Sequence, residues 1–183
     1  MSVTLNTDKA TLLKRLRESE AILVNAARIP DELAAICPDA DCWSVLQIIE
    51  HVGITERGMF GRLQTAEPND AAPNLAFDER ISQIGRDRSS KRSAPERAHP
   101  TGKFTSAGEA LAHFRTARQE TIAFIEGCNE DLRKKKVQHA LGEMDGHQLF
   151  LLIAAHAERH ARQIEEAKAS PAYQAASQPR KAV

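Results

Sequence analysis

His156 and His160 stand four positions apart in the stretch Asp145 to Glu166, DGHQLFLLIAAHAERHARQIEE, and that spacing is where chemistry could begin. At about 100° per residue the two side chains lie about 40° apart on a helical wheel, one turn from each other, which lets two imidazoles share one metal ion. Leu149, Leu152, Ile153 and Ile164 recur at helical spacing, and His156, His160 and Gln163 fall within the same stripe, so the histidines are aimed inward. Two ligands from one helix need at least a third from elsewhere, and His51 is the candidate. Three neutral imidazoles would suit zinc, nickel or iron and leave a position open for water or substrate. Such an ion lowers the pKa of a bound water or thiol and polarises a carbonyl. The same pattern also fits ordinary buried histidines, whose four ring nitrogens would then need hydrogen-bond partners among core groups. Gln163 suits either an orienting bond to a ligand or a core hydrogen bond. Glu50 and Glu158, next to the candidate ligands, are expected to face solvent, with Glu158 pointing away from the pair. His99, His113, His139 and His147 fall outside the pattern.

Four long helices must position these side chains. The first is expected from about Thr7 to Arg28, with Leu12, Leu16, Leu23 and Ala27 among its inward residues, and Ile29-Pro30 ends it. The second starts at Trp43-Ser44-Val45-Leu46-Gln47-Ile48, where Ser44 and Gln47 form a capping box and Trp43 and Ile48 a hydrophobic staple. Val45, Ile48, Ile49, Val52, Met59 and Leu63 make its apolar face, and His51 lies on one flank, roughly 100° from the centre of that face. Residues Glu67 to Thr105 read as a long connection with a short helix around Phe77 to Ile84. Its length allows the second and third helices to lie parallel, and the order expected for the bundle is up-up-down-down. A further capping box, Ser106 with Glu109, opens the third helix, which carries Leu111, Phe114, Ile122 and Ile125 inward. The polar segment Cys128 to Met144 reads as a connection with an extended turn, and Lys134 to Lys136 as a solvated surface run. Asp145 caps the fourth helix with Gln148 and the helix runs to about Ala169. The fold class expected is therefore all-α, a four-helix domain over residues 1–168, with 169–183 a flexible C-terminal tail.

With 183 residues, one domain with a substantial core is expected. Lysine plus arginine equals aspartate plus glutamate at 25 each, so no excess of positive charge marks a nucleic-acid or membrane partner. The start of the chain lacks the apolar run of a signal peptide, and no membrane-length apolar segment follows, so a cytoplasmic protein is expected. Cys37, Cys42 and Cys128, odd in number and without CxxC spacing, read as reduced thiols. There is no internal repeat, Gly-rich phosphate loop, GxSxG or HExxH.

WSVLQIIEHV, followed much later by HAERHARQIEE, resembles the DinB-like, or YfiT-like, superfamily of metal-dependent four-helix bundles. In that superfamily a Trp-Ser helix start leads to a histidine and a late helix carries HxxxH. The similarity extends over most of residues 5–168 and takes in the DER and DRSSK stretches of the connection, the Phe104 to Phe114 helix start and the Leu141-Gly142 turn. The resemblance implies metal ligands at His51, His156 and His160, nickel or zinc in the site, the up-up-down-down order and frequent homodimers. Some members resemble small-thiol S-transferases or mycothiol-dependent maleylpyruvate isomerases, in which the metal activates a thiol. The expectation is thus a divalent-metal-binding enzyme, a small-thiol-dependent S-transferase whose partner is a thiol or an electrophile. The alternatives are a non-catalytic dimeric scaffold or binding module and a metal-dependent hydrolase. No catalytic residue beyond the ligands is assigned.

Overall fold

Ser44 and Asp145 start the two helices that carry the three histidines, and both caps form as the sequence predicts. The Ser44 hydroxyl accepts from the Gln47 backbone N–H at 3.3 Å while the Gln47 side chain accepts from the Ser44 N–H at 2.9 Å. Asp145 and Gln148 repeat the exchange at 2.8 and 3.0 Å, each cap contributing about 1 kcal/mol. Ser106 caps Glu109, but the Glu109 carboxylate turns back to the backbone N–H and hydroxyl of Thr105, so the reciprocal half of that expected box is displaced by one residue.

The computed structural model describes residues 3–178. Four long helices dominate: α1 (Val3–Ala26), α3 (Val45–Gly61), α5 (Ala107–Gly127) and α6 (Gly146–Lys168). Three shorter ones join them: α2 (Asp31–Ala34), α4 (Leu75–Arg86), which is the short helix expected in the connection, and α7 (Pro171–Ser177). Side-chain pairs give the directions. Asp8 lies by His147, Arg15 by Glu158 and Ala26 by Lys168, so α1 and α6 run parallel. Gly53 lies by Phe114, Glu56 pairs with Arg118 and Arg57 with Glu120, so α3 and α5 run parallel. Lys9 reaches the end of α5 while Glu20 meets Arg115, which makes α1 and α5 antiparallel.

The order is therefore up-down-down-up, and the expected up-up-down-down is corrected. The long connection does leave the second and third long helices parallel, as its length allows. The shorter links from α1 to α3 and from α5 to α6 each reverse the chain, which brings the last helix back alongside the first in the same direction.

The expectation of an all-α chain also needs amending, because a small antiparallel sheet closes the lower end. Its strands are β1 (Glu67–Pro68), β2 (Lys135–His139) and β3 (Gly142–Asp145), in that order across the sheet. Val137 faces Met144 in the hairpin, both buried, and Gly142 takes the positive φ of 107° that the turn requires. Above the sheet, Arg133 is held by Asp8, Asp78 and Asp145, tying α1, α4 and the start of α6 together.

Two apolar clusters fill the bundle. The upper includes Leu23, Ile48, Val52, Phe114, Ala157 and Ile164; the lower includes Leu12, Leu16, Ile81, Ile125, Leu149 and Phe150. Midway along, Arg118 is fully buried and donates to both carboxylate oxygens of Glu56 at 2.8 and 2.9 Å, to the Ser19 hydroxyl and to the Leu16 carbonyl. Gly85 lets α4 lie close on α6: a Cβ there would stand 2.6 Å from that of Ala155. Part of the expected tail is ordered, since α7 buries Tyr173, and residues 179–183 of it lie outside the described residues.

Candidate metal centre

The capped start of α3 and the middle of α6 bring the three predicted histidines together in the upper half of the bundle. The His156 and His160 ring centroids are 4.3 Å apart, and His51 reaches across from α3 to within 5.2 and 4.7 Å of them. A ligand nitrogen from each ring lies within 4.8 Å of the other two. Among the described residues, this is the group of three or more His, Cys, Asp or Glu close enough to share an ion.

Hydrogen bonds fix which nitrogens face inward. The carbonyl of Ala98 can only accept, so His51 donates to it through Nδ1–H, at 2.6 Å. Arg88 donates to Gln163 Oε1 at 3.3 Å, which marks that oxygen as an acceptor, and His160 donates to the same oxygen through Nδ1–H at 2.7 Å. Each ring is left with Nε2 as its lone-pair nitrogen. His160 Nε2 lies 3.1 Å from His156 Nε2. Two ring nitrogens take about that separation when both are about 2.0–2.1 Å from one ion. A shared ion answers both lone pairs, and a proton on His156 Nε2 is the metal-free way to satisfy the contact.

Electrostatics suits the same role. His51 and His160 are buried and His156 is half-buried. Burial first, and then the neighbouring rings, hold His156 and His160 well below the usual imidazole range. Burial also lowers His51, opposed by its bond to Ala98. Neutral imidazoles are the form that ligates. The donor set thus fits a borderline divalent ion, and it brings no negative charge of its own.

The wall around His51 comes from the long connection. A short 3₁₀ turn at Glu96–Ala98 presents the Ala98 carbonyl, and the Trp43 ring covers His51 at 4.7 Å. Glu50, expected in solvent, is 1% exposed: it accepts from the Thr101 hydroxyl at 2.6 Å and the Gly102 N–H at 2.9 Å. Burial pushes its carboxyl up, but these two residues outweigh it and the net shift is down. Consecutive residues of α3 therefore hold one strap, Glu50 by its side chain and His51 by its ring. Glu158 does point away from the histidines, but it too is covered, paired with Arg15 at 3.1 Å and Arg86 at 2.6 Å.

Gln163 bonds the His160 ring, a contact that serves either of the two roles its position suits, an orienting bond to a ligand or a core hydrogen bond. Behind it, Arg88 grips Glu166 as well, so the DRSSK segment is fastened to α6. The Ala98 carbonyl and the Glu50 strap had no sequence signal, because one is backbone and the other is a glutamate among many. Arg159, between the two α6 histidines, was also missed; it is 6% exposed and donates to the Ser90 carbonyl at 3.1 Å. Cys37, Cys42 and Cys128 are free thiols outside the cluster.

Comparison with known proteins gives a family match and a likeness of fold. Residues 12–164 match the family model described as the DinB superfamily. The chain is similar to YuaE, an uncharacterized protein of Bacillus subtilis strain 168, at 25% identity over 141 residues, spanning 76% of this chain and 86% of that one. Among solved structures it is similar to YfiT from Bacillus subtilis, described as a probable metal-dependent hydrolase with an unusual four-helix bundle topology. There the TM-score is 0.56 at 16% identity, over 87% of this chain and 85% of that one, so the likeness is one of fold.

Proposed function

We propose, from the premise that this chain belongs to the DinB superfamily, that it is a divalent-metal-dependent enzyme holding its ion through His51, His156 and His160. The observation that carries the reading is the convergence of three neutral imidazoles from two helices, two of them with the outer nitrogen already committed to Ala98 or Gln163. Zinc or nickel suits that donor set, with iron a third choice. When bound, the ion supplies Lewis acidity, which lowers the pKa of a thiol or water and polarises a carbonyl. The chain's own contribution is positional. Ala98 and Gln163 hold two rings in the ligating tautomer, Trp43 covers His51, and His156, the most exposed of the three rings, leaves its side for a substrate.

The nucleophile is a small thiol in an S-transfer or a water in a hydrolysis. The first follows from the superfamily's thiol-dependent members, and the second from the likeness to YfiT, whose description is that of a metal-dependent hydrolase. Three free thiols and the absence, among the described residues, of any helix long and apolar enough to cross a membrane support a cytoplasmic site of action. A homodimer belongs to the same proposal, and sedimentation equilibrium tests it.

The deciding experiment loads the purified protein with zinc or nickel and screens two panels. One pairs small thiols with electrophiles, and the other offers esters and amides without thiol. Turnover in either panel that disappears in the His156→Ala protein and on chelation supports the enzyme reading and names the nucleophile. A chain that takes up no metal, or a loaded one that turns over neither panel and unfolds on chelation, would mean a histidine cluster that serves stability alone.

A further inference from the structure

Among the described residues, no carboxylate forms an ion pair with Arg159, a buried cation near the histidines. It follows His156 by three positions and precedes His160 by one, which puts it about 60° from His156 on the α6 wheel. Its residue is 6% exposed, one terminal nitrogen donates to the Ser90 carbonyl, and the other, Nη1, is buried with no hydrogen-bond partner among the described residues. The neighbouring guanidiniums are all matched: Arg86 by Glu158, Arg88 by Glu166 and Arg92 by Asp87. Asp87 and Glu166, the carboxylates of that neighbourhood, are thus engaged by Arg92 and Arg88 rather than by Arg159. A guanidinium stays charged in a protein, so this is one unit of buried positive charge left over beside three ligands that carry none. Such a charge is costly without an anion to meet it.

We infer that Arg159 receives the carboxylate of a small organic acid that binds beside His156 and His160, making this acid the substrate class of the metal centre. The inference rests on the metal reading above for where the acid's reacting end is placed, but not for the carboxylate contact itself. The open donor is a single nitrogen on a singly charged group, which matches a monoanion. A phosphate dianion would need more donors than are free, since Arg88 and Arg92 are already paired.

The test titrates acetate into wild type, Arg159→Gln and Arg159→Lys by calorimetry at constant ionic strength, with inorganic phosphate as the comparison anion. Zinc stoichiometry is measured separately on each with a chromophoric chelator. The expected result is equal zinc content in all three proteins, saturable acetate binding to wild type that exceeds phosphate binding, and a loss of roughly 10–100-fold in Arg159→Gln. Arg159→Lys, which keeps the charge and loses the planar fork, should fall between the two. Acetate binding that is the same in Arg159→Gln as in wild type overturns the inference, as does phosphate binding more tightly through Arg159. If Arg159→Gln does not fold, wild type and Arg159→Lys decide: no saturable acetate binding to wild type, or no difference between the two, overturns it equally. Absence of zinc in wild type would count against the metal centre, while acetate binding lost in Arg159→Gln would still uphold the contact.

Discussion

The Nδ1–H of His51 meets the carbonyl oxygen of Ala98 at 2.6 Å, and through that bond a residue of α3 is aimed by a segment far along the chain. The same segment is fastened one residue earlier on the helix, where Glu50 takes Thr101 and Gly102. On α6 the equivalent task falls to Gln163, itself steadied by Arg88. The long connection thus reaches the candidate centre from two sides, at residues 88–90 and at residues 98–102.

If Gln163 orients His160 toward an ion, Gln163→Leu should weaken zinc binding by roughly 10–100-fold and leave the fold intact. Chelator competition measures the affinity and circular dichroism the fold. An affinity equal to wild type would mean that Gln163 serves only the packing of α6 on the connection.

Removing the Glu50 carboxylate leaves the Thr101 hydroxyl and the Gly102 N–H without their acceptor. Glu50→Ala should therefore cost on the order of 2 kcal/mol in urea unfolding and speed hydrogen exchange at Gly102. Metal affinity should fall too, because the Ala98 carbonyl loses its support. A variant as stable as wild type with Gly102 still protected would show that the strap is held elsewhere.

Arg118→Met leaves the Glu56 carboxylate buried and alone, at 2% exposure, and should destabilise the protein by about 3–5 kcal/mol. Pairing it with Glu56→Leu should recover most of that loss, since two apolar side chains then replace two charges. Denaturant midpoints of the single and double variants check both halves. A single variant costing less than about 1 kcal/mol would contradict the burial of the pair.

His147 is buried at the foot of α6, and burial, followed by the charge of Arg133, lowers its pKa against the pull of Asp8 and Asp78. The folded chain therefore keeps this ring neutral where the unfolded chain, titrating near the ordinary value of about 6.5, already takes up a proton. Its contribution to stability is complete above about pH 6.5 and is lost as the pH falls toward the depressed folded value. The unfolding free energy of wild type should fall relative to that of His147→Leu as the pH is taken from 8 to 5, because the unfolded chain takes up the proton first. Parallel curves would mean that the ring titrates alike in both states.

Local features were legible from the sequence where the interaction is local. The caps at Ser44 and Asp145 and the inward stripe of His156 and His160 need only neighbours three or four positions away. His51 was placed on a flank of its helix, yet it is 4% exposed, because Trp43 and the Ala98 turn cover a side that periodicity counts as open. The hairpin at Lys135–Asp145 offers only Val137 and Met144 as buried apolar residues, too few to stand out from a polar loop. Arg118 looks like a solvent residue in any window of sequence, and only its partners on α1 and α3 show otherwise. The helix order is not legible in the sequence, because the parallel placement of the second and third helices leaves the direction of the first and last to be set by the two shorter links.

That order has a practical outcome at the bench. With α1 and α6 side by side and codirectional, α1 starts near the sheet and α6 runs out at the opposite end of the bundle. Two labels, one at the start of α1 and one on Lys168, would therefore be held apart by about the length of a rod, ~35 Å at 1.5 Å per residue, with the imidazoles midway between them.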